Sequence, residues 1–366
     1  MNNTIKLSCL FLGLTLTAVN SSHAMTWNFN LTNDLFHNQQ GGLESGTRLM
    51  SKATLGANGA IDKSIEWRTS LHATGNGGFS EELAGDSFTA SNIDGPEGAR
   101  IDEAWLKGRK SQWGWLIGSY DLNSEFDHIV PAELFINSAH GIGPDFSQSG
   151  HNGPSIFPFT ALAARAEWQI NSKNLVRTAL IDGVPGTPHS TRYNNIYLNK
   201  NEGILFVAEW QTINTNNSFC TLGAWRYSDQ FSTLSADKEA PAFGLYTSFA
   251  QSASLDHLGT WIRLGWANRS VHEMKHHLSA GVSTMRAMGD REIEYGAAIA
   301  QGTSSSYLSE GINIESQNET ALELTLKVPV MPHVTVKPDI QWIKSPGFNP
   351  TINEAWVLGL RFQFEA

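Results

Sequence analysis

The chain has 366 residues, with 25 Lys and Arg against 35 Asp and Glu, and this acidic balance excludes the basic stripe that nucleic-acid binding requires. After residue 24 no run of 18 apolar residues occurs, which excludes a helical membrane span. A membrane β-barrel stays open, because its strands offer only alternate apolar residues and its composition resembles this one, with 40% hydrophobic residues, 33 Gly and 12 Trp.

Residues 1–24 read as a secretory signal: Lys6 gives the charged start, residues 7–19 the apolar stretch, and Ser22-His23-Ala24 the cleavage site. The mature chain is expected to begin at Met25 and to form one domain over residues 25–366. Cys9 is preceded by Lys6-Leu7-Ser8 instead of a lipobox, and only Cys220 lies beyond the signal, so no disulfide framework supports the fold.

Period-2 alternation then recurs along the chain. Ile65, Trp67 and Leu71 oppose Glu66, Arg68, Ser70 and His72; Ile262, Leu264 and Trp266 oppose Arg263 and Gly265. Ile293, Tyr295, Ala297 and Ile299 oppose Glu292 and Glu294, and Leu322, Leu324, Leu326 and Val328 oppose Glu323, Thr325 and Lys327. Val334, Val336, Ile340 and Trp342 oppose Thr335, Lys337, Asp339 and Gln341, and the last run sets Trp356 to Phe364 against Gly359, Arg361 and Gln363. A β-sandwich also alternates. The barrel is preferred because Trp27, Trp67, Trp210, Trp225, Trp261, Trp266, Trp342 and Trp356 lie on or near these runs, as interfacial girdles require.

A membrane strand takes about 9–11 residues, so sixteen strands fit this length and leave ample chain for loops. Asn58-Gly59, Asn76-Gly77-Gly78, Asn216-Asn217 and Ser345-Pro346-Gly347 are predicted turns. Residues 120–158 differ: alternation stops, Gly, Pro, Asp, Asn and Ser accumulate, yet Phe126, Leu134, Phe135, Ile142, Phe146, Ile156 and Phe157 ask for burial. A loop folded into a lumen as a constriction satisfies both.

This segment carries a resemblance. Gly118-Ser-Tyr-Asp-Leu-Asn-Ser-Glu-Phe-Asp127, Leu134-Phe-Ile-Asn-Ser138, Gly141-Ile-Gly-Pro-Asp-Phe-Ser-Gln-Ser-Gly150 and Gly153-Pro-Ser-Ile-Phe-Pro158 are similar to the carbohydrate-selective porins of the OprB type. The likeness continues through Ala99-Arg-Ile-Asp-Glu-Ala-Trp-Leu106, Asn201-Glu-Gly203, Gly289-Asp-Arg291, Pro338-Asp-Ile-Gln341 and Val357-Leu-Gly-Leu-Arg-Phe362. It implies an all-β fold: a 16-stranded transmembrane antiparallel barrel in the outer membrane, passing sugars by diffusion through inward-folded constriction loops. Such barrels usually end on an aromatic residue, whereas here Glu365 and Ala366 follow Phe364.

Two motifs carry other chemistry. His272-Glu-Met-Lys-His276 spells a zinc-protease signature, but it lies between predicted strands and not on a helix, so a solvated turn is expected. Asp121, Asn123, Glu125 and Asp127 match the start of a calcium loop, but Phe126 replaces its glycine and Ala132 its last ligand, so a loop tether is preferred.

Sugar recognition needs hydrogen-bonding partners and an aromatic face. Glu103, Trp105, Asp121, Asn123, Glu125 and Asp127 supply both close together, with Trp105 equally suited to a girdle. Arg68, Arg263 and Arg361 are expected in the lumen, because Arg or Lys facing lipid costs about 2–4 kcal/mol. Arg165, Arg226 and Arg291 are placed there too, with Arg165, Arg263, Arg291 and Asp339 among the candidate binding residues; any one of these charges is better read as a wall partner of Glu209, Glu323 or Asp339 than as a direct sugar contact. Sugars, lipid and further copies of the chain are the expected partners, and no catalysis, metal or cofactor is expected. A general small-solute porin, an outer-membrane barrel enzyme and a secreted β-rich lectin are the alternatives.

Overall fold

The computed structural model describes residues 25–186, 203–213, 218–252, 258–309 and 311–366. The signal at 1–24 and the Asn216-Asn217 turn lie outside the described residues.

The strands run, in chain order, β1 (Thr26–Gly41), β2 (Gly46–Ala60), β3 (Ile65–Gly75), β4 (Gly98–Lys110), β5 (Trp113–Tyr120) and β6 (Ala161–Gln169). Next come β7 (Asn174–Asp182), β8 (Ile204–Ile213), β9 (Ser218–Ser232), β10 (Glu239–Gln251), β11 (Gly259–Ala267) and β12 (Met274–Met288). The last are β13 (Arg291–Ser304), a hairpin of β14 (Tyr307–Ser309) and β15 (Ile312–Ile314), then β16 (Asn318–Met331), β17 (Val334–Lys344) and β18 (Glu354–Glu365). All but the hairpin pair with their sequence neighbours, and β1 closes on β18, giving a sixteen-stranded antiparallel barrel. Closure leaves no sheet edge with unpaired amides, which lipid would not tolerate.

The alternation gives the faces. Leu322 and Leu324 are exposed while Glu323 and Thr325 are buried; Leu264 is exposed while Arg263 is fully buried. Short turns close one end, at residues 111–112, 289–290 and 332–333, and long loops the other, which in membrane barrels are the periplasmic and extracellular ends. Trp27, Trp113, Trp168 and Trp210 stand outward near the short turns and Trp356 near the long loops, as two interfacial belts. Trp225 and Trp261 are not girdle residues. Both are almost fully buried on the inner face, Trp225 stacked on Phe146 with ring centroids 5.1 Å apart. Asn58-Gly59 is not a turn either: it lies inside β2, and the chain reverses just after it, where Asp62 accepts the Ser64 and Ile65 amides.

The lumen is occupied by two loops. Residues 121–160 run from β5 across the barrel, where Leu122, Phe126, Phe135 and Phe146 pack against inward side chains of distant strands. Gly265 is required by this route: a Cβ there would lie 2.1 Å from the Asp145 carboxylate on the loop's short helix Pro144–Ser147. Residues 76–97 form a second inward loop, not foreseen beyond its opening turn, with Phe79, Leu83, Phe88 and Ile93 buried against β1, β16 and β18 side chains. The loops hold each other: Asn92 N donates to Ile136 O at 2.9 Å and Ser138 N to Thr89 O at 3.0 Å.

Candidate functional site

One irregularity adds a carboxylate to the inner wall. Between Ser70 and Leu71 the β3–β4 register slips, Ser70 facing Glu103 and Leu71 facing Ile101. The bulged Asp102 therefore points inward beside Glu103, bonded to Ser70 Oγ (3.2 Å) and His72 Nδ1 (3.1 Å). Arg68 Nε lies 2.7 Å from Glu103 Oε2, and Trp105 Nε1 donates to Glu103 Oε1 at 3.1 Å. Trp105 thus belongs to the lumen and not to a girdle.

Asp121 begins the long loop by accepting the Asn123 amide at 2.9 Å, an N-cap that turns the chain inward. Burial, then the nearby Asp102 and Glu103 carboxylates, push the Asp121 carboxyl up to about 7. It is therefore half ionised near neutrality. Raising the pH from 6 to 8 adds negative charge to the passage, so the reversal potential in a salt gradient is expected to shift towards cations. Asp121→Asn should remove that pH-dependent part; the same shift in the variant would assign it to another group.

The other loop carboxylates are fasteners. Arg263 Nε donates to Asp127 Oδ1 at 2.9 Å, and its remaining nitrogens reach the carbonyls of Asp127 and Gly141 at 2.7 Å and His140 at 3.2 Å. Glu125 is gripped by Arg165 and by Lys107, the latter at 3.3 Å, while Glu209 accepts the Asp127 amide at 2.8 Å. Glu323 accepts the Ile136 and Asn137 amides, and Asp339 lies beneath them against Thr325 and Gln341. Arg263, Asp127, Arg165 and Asp339 are each 0–2% exposed, which leaves them no open face for sugar contact, the lesser of the two roles expected for them. Arg291 is corrected: it opens β13 at the short-turn rim, on the outward side with Tyr295. Arg226 is exposed on the outer side between inward Trp225 and Tyr227, not in the lumen.

What remains open is a chamber of about 580 Å³ between the two loops and the β1, β2 and β18 wall. Asp121 and Asn123 line it, as the sequence pattern suggested, and Glu103 stands behind them. Lys52, Asn92, Asp94 and Phe157 also line it and were not anticipated. Lys52 Nζ sits 4.1 Å from the Phe157 ring centroid. Arg361 reaches the chamber while bonded to Asp34 through two nitrogens at 2.7 Å and to Asn92 Oδ1 at 2.6 Å. Lys52 was legible as one of two charges on the β2 strand, with Arg48; Asn92 and Asp94 needed the 76–97 loop to be seen as inward.

Neither motif gathers ligands. His276 faces outward from β12, His272 is buried in the preceding loop, and no helix joins them. Asp121, Glu125 and Asp127 diverge to an amide, to Arg165 and to Arg263.

The family profile described as "Carbohydrate-selective porin, OprB family" matches residues 47–365. The chain belongs to the OprB family of carbohydrate-selective porins. It is an outer-membrane porin through which carbohydrates diffuse. No curated protein matches it significantly. Among solved structures, OprB of Pseudomonas putida in its high-pH form is similar with a TM-score of 0.81 at 16% identity, covering 93% of this porin and 94% of that chain. The outer-membrane channel DcaP of Acinetobacter baumannii gives 0.58 at 10% identity over 96% and 100%. The trimer form of OmpT from Vibrio cholerae gives 0.56 at 10% over 94% and 100%.

Proposed function

We propose that the chamber between Lys52, Asn92, Asp94, Asp121, Asn123 and Phe157 is the sugar-selective step of this porin. The observation that carries it is the joining, around one open space of about 580 Å³, of charged and amide hydrogen-bonding groups with an aromatic ring. A volume in the range of about 300–1,000 Å³ typical of small-molecule pockets suits one or two sugar rings. Hydroxyls that shed water in the constriction regain bonds to Asp121, Asn123, Asn92 and Lys52, and the part of the Phe157 ring left open beside Lys52 meets the apolar side of a sugar. No chemistry is done on the solute, which passes because a wet polar path replaces lipid.

Lipid against the outward Leu and Trp faces is the second partner, and further copies of the chain a third, in keeping with the trimer form of OmpT. A leader over residues 1–24, removed on export, completes this reading. The test is sugar-dependent block of current in planar bilayers. Replacing Lys52 by Met or Asp121 by Ala should weaken the block by about tenfold or more, since a hydrogen bond to a charged group is worth about 1.5–3 kcal/mol. Unchanged block in both variants would move the selective step elsewhere.

A further inference from the structure

We propose that the periplasmic half of the lumen holds a second solute site, built for a sugar that carries a carboxylate, with Arg177 of β7 and Gln211 of β8 as the donors that take the carboxylate. The cavity measures about 360 Å³, room for a single sugar ring. It lies under the long loop in the corner of β7 to β10, where β8 ends at Ile213, β9 begins at Ser218 and β10 ends at Gln251. One turn of the loop separates it from the chamber: Asp121 and Asn123 line the chamber, whereas Ser124 and Glu125 line this cavity.

Arg177 sets the charge of the ligand. Its side chain lines the cavity and is 16% exposed, and it meets carboxylates only at the limit of contact, Nε to Glu167 Oε2 and Nη1 to Glu209 Oε1, both at 3.5 Å. Charge-assisted bonds measure about 2.7–2.9 Å. The third nitrogen, Nη2, has no partner among the described residues. Both carboxylates are satisfied elsewhere: Glu167 by Arg109 and by Arg165 at 3.2 Å, Glu209 by the Asp127 amide and the Tyr246 hydroxyl, each at 2.8 Å. Glu125 gives its carboxylate to Arg165, to Lys107 at 3.3 Å and to the Tyr120 hydroxyl at 2.9 Å, and offers Arg177 only its carbonyl, at 3.3 Å. The network therefore joins four cations, Lys107, Arg109, Arg165 and Arg177, through three carboxylates, Glu125, Glu167 and Glu209. The cation left over is the one that borders the cavity. A guanidinium fixed in the wall with donors to spare is suited to a planar carboxylate.

Gln211 supplies the second donor. It stands two residues from Glu209 on the same inward face of β8, diagonal to Arg177 in the ladder, and its side-chain amide has no partner among the described residues. The rest of the lining suits the sugar that bears the carboxylate. Phe219 and Val130 offer apolar surface to the C–H side of a ring, and Ser252 and His128 offer hydroxyl partners, His128 through Nδ1 because Glu133 takes Nε2 at 2.7 Å. A neutral sugar leaves the surplus charge of Arg177 as it is, whereas an acidic one neutralises it in a place shielded from bulk water.

Calorimetric titrations of the detergent-folded full chain, at neutral pH and constant ionic strength, compare sodium glucuronate with glucose and with sodium acetate. Glucuronate is expected to bind at least about tenfold tighter than glucose, from which it differs at one carbon, since a hydrogen bond to a charged group is worth that factor or more. Acetate, which lacks the ring, should bind at least about tenfold more weakly than glucuronate. Arg177→Gln and Gln211→Glu should each abolish the preference for glucuronate over glucose, the first by removing the guanidinium and the second by placing a carboxylate beside it. Gln211→Glu leaves the Arg177 contacts in place, so it decides where Arg177→Gln fails to keep the folded gel mobility. No preference in the wild type, acetate binding as tightly as glucuronate, or a folded variant that keeps the preference each overturns the proposal. The chamber is read separately, by glucose block in Lys52→Met, so that either site can fail its test without the other.

Discussion

Replacing Arg263 by Met is expected to open the channel: single-channel conductance should rise and become noisy, and sugar block should weaken, while the barrel keeps its folded gel mobility. Arg263 is fully buried, and its guanidinium holds Asp127 together with the carbonyls of residues 127, 140 and 141. Removing one partner of a buried pair costs about 3–5 kcal/mol, because the other charge is left without compensation. That loss falls on the loop, since the β10–β11 and β11–β12 ladders do not use the side chain. Replacing both Arg263 and Asp127 by apolar residues should recover part of the wild-type conductance. A single variant with unchanged conductance and block would show that Glu209 and Glu323 suffice to hold the loop.

A charge on the outer face should be costlier to assembly than to transport. Leu324 is 58% exposed at the middle of β16, so Leu324→Arg places a guanidinium against lipid at about 2–4 kcal/mol and should lower the folded fraction on refolding into vesicles. Gln363→Arg, one face over on β18 and lining the chamber, should assemble nearly as wild type. Thr325 is not an equivalent control, because it is buried against Glu323 and Asp339 under the long loop. Equal damage at Leu324 and Gln363 would mean that the faces are misassigned.

The faces were legible wherever one side of a strand meets lipid and the other meets polar loop, as in β16 to β18. On β9 that contrast disappears. Trp225, Tyr227 and Phe231 point inward because the loop they cover is itself apolar, so both sides of the strand read as hydrophobic and Arg226 could not be oriented from its neighbours. Arg291 was misplaced because its strand begins with it, leaving no preceding alternation. At β4 the bulge puts Asp102 and Glu103 on the same side, which strict period-2 reading forbids. The long loop was visible from its buried-type aromatics. The same signal in Phe79, Leu83, Phe88 and Ile93 would have exposed the shorter loop, had Asn76-Gly77-Gly78 not been read as a tight turn. Which carboxylates touch solute and which fasten the loop depends on partners more than a hundred residues away, such as Arg263 for Asp127, and no local pattern records that.

The junction of β1 with β18 is closed from within as well as by its ladder. Asp34 on β1 takes Arg361 of β18 through two oxygens, and the same two side chains hold Ser91 and Asn92 of the 76–97 loop. Until the last strand arrives, that loop lacks its Arg361 anchor, and until the loop docks, the pair lacks its remaining partners. Sealing the cylinder and narrowing its bore therefore draw on the same four side chains. A sealed wall without the 76–97 loop would leave Asp34 without its Ser91 contact and Arg361 without its Asn92 contact.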